Sequence, residues 1–266
     1  MPAVSRLPRR AWTLTICGAI VAVLLAVAAF VPLPFSVAVP GDTVNVLGND
    51  KGKPVISISG TPTRDPKGQL RMTTITATGP QATVRLDDVL DSWFDEERAV
   101  LPRDSVYPVG DSVEEIERHN LQDMRESQDD ATAAALRYLN RSGEDIDIRL
   151  RLAKVGGPSA GLLFSLGIID KLDGDGRGGD LTGGQTISGT GTIEPDGTVG
   201  PVGGVPLKTL AAKRDGATVF LVPRDECSEA EANRPEGLRL IPVTELKDAV
   251  SSLRALSSGK GKVPSC

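Results

Sequence analysis

V-G-G-P-S-A-G, residues 155–161, connects two segments of different pattern. Residues 145–152 alternate polar and apolar side chains and predict a strand, whereas residues 162–172 form a largely apolar run that predicts a helix. Ser159 is therefore expected in a glycine-rich turn at a helix N-terminus, where backbone N–H groups have no partners within the helix. Such groups can stabilise an oxyanion, and the backbone N–H groups of Gly157 and Ser159 are the candidates.

A second glycine-rich segment, G-P-V-G-G-V-P-L-K at residues 200–208, places Lys208 in the first turn of a helix predicted at residues 205–214. A lysine acts as a general base only when it is neutral, so its pKa must fall from about 10.4 towards roughly 7–8. Burial among apolar groups and the positive end of a helix dipole both lower this pKa. We therefore interpret Ser159 and Lys208 as a nucleophile and its base, with the Thr182 hydroxyl holding the amine.

Other interpretations of these residues stay open at this point. The glycine-rich turn could serve only to pack a helix close to a strand, and Lys208 could be an ordinary surface lysine. A phosphate-binding loop is disfavoured because no Gly-Lys-Ser/Thr follows the glycines. His119, the only histidine, lies in a charged helical segment and is expected to face water rather than serve as the base.

Composition limits the classes of function that the chain can have. Aromatic residues make up 3% of the chain, so the core is expected to be aliphatic. The net charge is −5 and no cluster of Lys and Arg is present, which argues against nucleic acid as a partner. The two cysteines outside the apolar segment and the single histidine make no metal site, and no cofactor is predicted.

The N-terminal segment predicts a membrane anchor. Residues 11–31 carry no charge, and at about 1.5 Å per residue a helix of this length spans a bilayer core of about 30 Å. Arg6, Arg9 and Arg10 precede it, which predicts a cytoplasmic N-terminus and an extracytoplasmic remainder. A cleaved signal peptide is the alternative, although its apolar core is usually about 7–15 residues long and no convincing cleavage site precedes Pro32.

The cysteines are consistent with this topology. Cys17 lies within the apolar segment, whereas Cys227 and Cys266 lie outside it, where an oxidising compartment allows them to pair. A disulfide between Cys227 and Cys266 would fasten the C-terminal tail. Two unpaired thiols are the alternative.

The remaining segments predict strands and helices in an irregular order. Strands are expected at residues 35–47 (interrupted at Pro40-Gly41), 55–59, 71–78, 186–193, 198–199, 217–222 and 238–243. Further helices are expected at residues 86–94, 112–139 and 244–256. In the first of these helices the apolar side chains share one side: Val89, Leu90, Trp93 and Phe94. Because no clean βαβ repeat is visible, the fold class is predicted to be α+β rather than a doubly wound sheet.

Three motifs follow one another in a specific order. They are G-P-S-A-G at residues 157–161, L-T-G at 181–183 and G-P-V-G-G-x-x-x-K at 200–208. In this order they resemble the proteolytic domain of Lon-type serine–lysine endopeptidases, over roughly residues 145–250. The resemblance implies that Ser159 is the nucleophile, that Lys208 is the general base and that Thr182 hydrogen-bonds the lysine.

Features outside that domain resemble the membrane-anchored bacterial Lon-like proteins: the apolar segment, the Ala-rich segment 127–136 and the two paired cysteines. These relatives usually carry a PDZ domain before the serine strand, and residues 140–144 leave no room for one. ATP-dependent Lon proteins also carry acidic residues where this chain has Gly156 and Gly184. No Walker motif is present, so no ATPase is implied.

The expected organisation has five parts: a cytoplasmic tail (1–10), a transmembrane helix (11–32), extracytoplasmic strands and helices (33–142), a Lon-like proteolytic domain (143–256) and a C-terminal tail (257–266). The implied function is ATP-independent hydrolysis of peptide bonds in extracytoplasmic proteins at the cell membrane. A catalytically inactive binding or scaffold protein is the alternative, because a PDZ groove is missing and two glycines depart from the family pattern. Lon domains commonly form hexameric rings, so the resemblance also implies self-association.

Overall fold

The computed structural model describes residues 9–107, 112–152 and 157–266. The helices are α1 Arg9–Phe30, α2 Leu86–Trp93, α3 Arg103–Val106, α4 Val113–Tyr138, α5 Gly161–Leu172, α6 Val205–Arg214, α7 Cys227–Ala232 and α8 Leu246–Ser258. The strands are β1 Phe35–Asn45, β2 Asn49–Asp50, β3 Lys53–Pro54, β4 Ile56–Ser59, β5 Gln69–Ala77, β6 Ala99–Pro102, β7 Asp147–Leu150, β8 Thr186–Gly189, β9 Thr192–Ile193, β10 Val199–Gly200, β11 Val219–Pro223 and β12 Arg239–Val243. Most of the predicted N-terminal tail, together with Val155 and Gly156 of the serine motif, lies outside the described residues.

A six-stranded mixed sheet forms the centre of the fold, in the order β12-β11-β8-β5-β1-β6. The four strands from β12 to β5 are parallel, whereas β1 pairs antiparallel with both β5 and β6. The register of β1 with β5 shifts between Pro40 and Thr43, which confirms the interruption predicted at Pro40-Gly41. The fold thus combines helices and strands in one mixed unit, as predicted, although most of the sheet is parallel.

Two parallel crossovers, β8-α6-β11 and β11-α7-β12, lie within this sheet. The sequence did not reveal them, because the β9-β10 hairpin separates β8 from α6 and hides the alternation. The strand predicted at residues 186–193 is therefore two strands: β8 belongs to the sheet, and β9 leaves it to pair with β10. The corner between them is Thr190-Gly191, where Gly191 has φ +152°.

Helix α5 lies in the main apolar core, with every residue from Gly161 to Asp170 buried. Helix α4 packs against it, and its buried side chains there are small: Ala131, Ala134 and Ala135. Small side chains let two helices approach closely without leaving voids. The N-terminus of α4 is capped by Ser112, whose Oγ accepts the Glu115 N–H at 3.2 Å.

Helix α1 differs from the rest of the fold. Its segment Arg10–Phe30 is long and apolar enough to cross a membrane, and none of it is buried against the protein. A signal sequence near an N-terminus has the same properties. The chain continues from α1 into β1, so the apolar helix leads directly to the antiparallel edge of the sheet.

Candidate active site

Ser159 lies in the turn before α5 and is partly exposed. The turn begins at Gly157, whose φ of +85° falls in the left-handed region that favours glycine. The Ser159 carbonyl accepts the Gly191 N–H at 3.1 Å and the Thr190 hydroxyl at 3.3 Å. The serine turn is thus bound to the corner between β8 and β9.

Helix α4 supports this turn from the other side. Ser127 Oγ donates to the Pro158 carbonyl at 3.0 Å. A Cβ added at Gly161 would lie 2.9 Å from Ser127 Oγ and 2.6 Å from Ile193 Cγ2, closer than real Cβ contacts allow. Glycine is therefore required at this position, and the turn is held between α4 and β9.

Lys208 lies in the first turn of α6 with a side chain that is 3% exposed. Its Nζ donates to Thr190 Oγ1 at 3.2 Å. Burial lowers the pKa of Lys208 from its ordinary value of 10.5 to about 8, against the opposing charges of Glu226 and Glu229. About a tenth of the amine is thus neutral at pH 7 and about half near pH 8, so the form that a general base requires is accessible.

Thr190 connects the two predicted catalytic residues. Its Oγ1 donates to the Ser159 carbonyl and accepts from Lys208 Nζ. Because a hydroxyl has one proton to donate, this arrangement leaves none for the lysine, and a neutral Lys208 keeps its nitrogen lone pair free. The geometry brings Ser159 and Lys208 to one buried threonine and orients the amine without occupying the electrons that would accept a proton.

Thr182 does not hold the lysine, which corrects the role predicted for it. Its Oγ1 accepts the Gly184 N–H at 3.3 Å, and its side chain packs against Gly68 at the other end of β8. Two Thr-Gly pairs lie between Ser159 and Lys208 in the chain, and the motif resemblance selected the first of them. The second pair, Thr190-Gly191, is closer in the chain to Lys208, and this was the signal that could have identified it.

The prediction that the backbone N–H groups of Gly157 and Ser159 bind an oxyanion also needs one correction. The Gly157 N–H donates to the Asn120 carbonyl of α4 at 3.1 Å, so in this conformation it is not free to bind an oxyanion. The Ser159 N–H stays a prediction. His119 lies on the same helix, with a side chain that is 40% exposed and 3.5 Å from Asp123.

Glu226 is a buried acid that the sequence did not single out. It is 8% exposed, and its Oε1 accepts the Val202 N–H at 3.0 Å, in the turn that leads to Lys208. Its Oε2 is buried and makes no hydrogen bond within the described part of the chain. Burial raises the pKa of Glu226, while the nearby Lys208 lowers it. The carboxyl thus supports the turn before α6 and acts electrostatically on the lysine.

The residue after Glu226 is joined to the C-terminus. Cys227 and Cys266 form a disulfide with a Cα–Cα distance of 5.4 Å, so the tail is fastened beside the turn that Glu226 supports. Cys17 is a free, exposed thiol in α1. Within the described ranges, no three His, Cys, Asp or Glu residues are grouped so that they could hold a metal ion.

A groove of about 330 Å³ lies beside Pro158, immediately before the serine. Acidic side chains contribute much of its lining: Asp123, Glu126, Asp130 and Glu194. Burial raises the pKa of Asp130, and the charge of Glu194 adds to the effect. The approach to the serine turn on this side therefore carries negative charge.

The comparisons with known proteins agree with this geometry. Residues 139–255 match the Lon protease (S16) C-terminal proteolytic domain, a range that contains Ser159, Thr190 and Lys208. Over 97 residues the chain is 34% identical to a Lon protease of Azospirillum brasilense; this alignment covers 35% of the present chain and 11% of that protein. The chain thus spans a small part of that relative's length. Residues 139–255 are thus similar to the C-terminal proteolytic domain of Lon protease (S16), and one apolar helix long enough to cross a membrane precedes them.

Proposed function

We propose that this protein is a membrane-anchored serine endopeptidase that hydrolyses peptide bonds of extracytoplasmic proteins without ATP, with Ser159 as nucleophile and Lys208 as general base. The Lon-type domain supports serine peptidase chemistry. The finer assignment is supported by one observation: the buried Lys208 amine and the main chain of Ser159 meet at the same Thr190 hydroxyl. The sequence contains no Walker motif, which is the reason that the proposal includes no nucleotide.

In the proposed first step, neutral Lys208 takes the proton of Ser159 Oγ as that oxygen attacks the scissile carbonyl carbon. The carbonyl oxygen becomes an oxyanion, and the Ser159 N–H is the proposed donor to it. The tetrahedral intermediate then collapses. The C–N bond breaks, protonated Lys208 gives its proton to the leaving amine, and the acyl group stays on Ser159 as an ester.

Deacylation repeats this sequence with water as the nucleophile. Lys208, neutral again, takes a proton from the water molecule that attacks the ester carbonyl. Collapse of the second tetrahedral intermediate breaks the ester C–O bond, and the lysine returns the proton to Ser159 Oγ. The cycle leaves the enzyme unchanged and consumes one water for each peptide bond. Thr190 acts throughout as a positioning residue, because it holds the amine through an N–H and leaves its lone pair accessible.

The proposed location follows from the N-terminal segment. The arginines before α1 favour a cytoplasmic N-terminus, so residues 33–142 and the proteolytic segment 143–256 would face outward. An oxidising compartment is also where the disulfide between Cys227 and Cys266 would persist. Protein substrates on that side, and a ring of several copies, are parts of the proposal that the family resemblance supports.

An active-site label tests the proposal. The full chain in detergent or vesicles is treated with a fluorophosphonate probe, and covalent labelling of the wild type is expected. Ser159→Ala should abolish the label, whereas Ser251→Ala, which removes an exposed hydroxyl on α8 bonded to the Asp248 carbonyl, should retain it. Absence of labelling in the wild type, or labelling that survives Ser159→Ala, would refute the assignment.

A non-catalytic binding or scaffold role is the second candidate. The observation in its favour is the bond between the Gly157 N–H and the Asn120 carbonyl, which removes one backbone donor from the serine turn. The label separates the two roles. An inactive domain would bind a peptide boronate no more tightly than the corresponding peptide, whereas a peptidase binds the boronate far more tightly because it mimics the tetrahedral intermediate.

A further inference from the structure

Helix α2 exposes large apolar side chains that an ordinary surface helix would turn towards the core. Leu86, Val89, Leu90 and Trp93 follow a spacing that places them on one side of a helix. In a soluble domain such a stripe faces the core. Here Leu90 is 50% exposed and Trp93 75% exposed, and Phe94, immediately after the helix, is 85% exposed.

The side of α2 that faces the protein carries Ser92 together with the half-buried Leu86 and Val89. Ser92 is the buried residue of this helix, at 2% exposure, and its hydroxyl donates to the Asp88 carbonyl. That bond lies within the helix, so α2 meets the fold through Ser92 and the half-buried Leu86 and Val89, while Leu90, Trp93 and Phe94 are exposed. Exposing so much apolar surface to water is unfavourable by about 25 cal/mol per Å², so a contiguous surface of this kind indicates a partner that is not water.

The position of α2 indicates what that partner is. The chain leaves α1 at Phe30, and the Leu33 N–H donates to the Val84 carbonyl at 2.8 Å, just before α2 begins. Helix α2 also contacts α1 directly. If α1 spans a bilayer, the exposed face of α2 is at the depth where the span leaves the hydrocarbon region. Tryptophan and phenylalanine beside apolar residues are typical of this interfacial layer.

We propose that the apolar face of α2, formed by Leu90, Trp93 and Phe94, lies in the headgroup region of the bilayer that α1 enters. This inference rests on the proposed membrane anchoring and extends it from one attachment to two. The acidic residues of α2 are exposed: Asp87 and Asp91 border this face, and Asp88 lies on the opposite side of the helix. Contact with lipid is driven by apolar area, and zwitterionic phosphatidylcholine suffices, whereas anionic lipid weakens the contact by repelling these carboxylates.

The second attachment would control orientation. Strand β1 follows α1 and strand β6 follows α2, and the two strands pair at the edge of the central sheet. Both membrane contacts therefore act on the same edge of the sheet. A single helix allows the domain to swivel on its linker, whereas two contacts at one edge fix which side of the domain faces the membrane.

The chain has two tryptophans, one in each of the two proposed contacts, and this makes a direct test possible. The full chain is reconstituted into phosphatidylcholine vesicles as two variants. Trp12→Phe leaves Trp93 as the reporter of α2, and Trp93→Phe leaves Trp12 as the reporter of α1. Fluorescence is measured with lipids brominated near the headgroup end of the acyl chain, and separately with aqueous iodide.

We expect the brominated lipid to quench Trp93 strongly, with iodide quenching it several-fold less than free tryptophanamide. Adding Leu90→Ser and Phe94→Ser to the Trp12→Phe variant should reduce the bromine quenching of Trp93 by more than half. The same two substitutions in the Trp93→Phe variant should leave the quenching of Trp12 unchanged, which shows that the anchor and the fold are intact.

Two outcomes overturn the inference while the anchor stands. If Trp12 is quenched by brominated lipid but Trp93 is quenched only by iodide, α2 faces water. If Trp93 is shielded from both quenchers, a second copy of the chain covers it. A Trp12 that brominated lipid does not quench overturns the anchoring itself, and the inference with it, so the two failures are distinguishable.

Discussion

Proteins usually bury apolar side chains and expose charged ones. Lys208 and the apolar face of α2 depart from this rule in opposite directions. The lysine is a charged residue type placed at 3% exposure in an aliphatic core, whereas Trp93 and Phe94 are aromatic residues placed largely in the open. Both arrangements are unfavourable for a protein in water. They differ in what offsets the unfavourable free energy. The lysine has a hydrogen-bond partner inside the fold, whereas the aromatic side chains have no cover within the described residues.

The difference separates two kinds of site. Around Lys208 the protein supplies a hydroxyl partner in Thr190, and the residual electrostatic cost takes the form of a lowered pKa, which is useful for proton transfer. Around α2 the described structure supplies no cover for Trp93 and Phe94, so the compensation must come from another phase or another molecule. A buried charged group with a partner inside the fold indicates a catalytic role. Exposed apolar side chains that the fold does not cover indicate an interface.

Removing the lysine should produce the largest effect. Lys208→Met is expected to lower peptide hydrolysis by about 10³-fold or more, because the proposed general base is lost. The variant should also be more stable at pH 7 by roughly 3 kcal/mol, at about 1.4 kcal/mol for each unit by which burial lowers the lysine pKa. Turnover and urea unfolding measure the two effects.

The sign of the stability change depends on pH. The folded-state pKa of Lys208 lies below its ordinary value of 10.5, so the unfolded state binds more protons between about pH 8 and 10.5. Wild-type stability should therefore rise with pH in this window, and the advantage of Lys208→Met should be greatest below about pH 8. A methionine variant that is less stable than the wild type at pH 7 would contradict the view that burial of the amine is unfavourable.

Opening the disulfide should have the next largest effect. Cys266→Ser frees the tail from the segment beside Glu226 and is expected to lower the free energy of unfolding by about 3–4 kcal/mol, in the chain-entropy treatment of a loop of this size. Denaturant unfolding checks the value, with Cys17→Ser as the matched control that leaves stability unchanged. Alkylation of both Cys227 and Cys266 without prior reduction would contradict the bridge.

Substitutions of Thr190 and Thr182 test which threonine holds the lysine amine. Thr190→Val removes the acceptor of the lysine amine and should lower kcat by about 10–100-fold, with substantial recovery in Thr190→Ser. Thr182→Val is the matched control, because that hydroxyl contacts the Gly184 N–H instead. It should change stability but leave the pH dependence of kcat unaltered. Equal losses in kcat for the two valine variants would restore the role first predicted for Thr182.

The pH profile tests the electrostatic partners of the lysine. Because the neutral amine is the active form, hydrolysis should rise with pH and reach half of its plateau near pH 8. Glu226→Gln removes a charge that raises the Lys208 pKa, so the midpoint should move to lower pH and activity at pH 7 should increase by less than about tenfold. Glutamine keeps an acceptor for the Val202 N–H. Glu229→Gln should give a smaller shift in the same direction.

The smallest effect on stability is expected for a substitution on the exposed face of α2. Leu90→Ser should change the stability of the detergent-solubilised protein by no more than about 0.5 kcal/mol, because the side chain makes little contact with the core. A leucine buried in α5 provides the contrast, since Leu166→Ala should lower stability by about 2–5 kcal/mol. A comparably large loss for Leu90→Ser would show that its side chain supports the fold rather than an interface.

Much of the local structure was predictable because its signals are local. The apolar run of α1, the cap at Ser112 and the turn before α5 each depend on residues a few positions apart. The strand predicted at residues 186–193 was wrong in one respect, since β-type residues continue through the Thr190-Gly191 corner. Periodicity alone does not reveal where a strand leaves its sheet.

The sequence by itself determined the apolar helix, the order of the serine and lysine motifs, and the family to which those motifs point. Only the tertiary structure decided that Thr190 rather than Thr182 meets Lys208, that Asn120 occupies the Gly157 N–H, and that Glu226 lies near the amine. These contacts join residues from separate elements, and the choice between two similar Thr-Gly pairs depends on where the chain bends. Spacing along a chain sets local geometry, whereas packing sets which distant groups share a buried space.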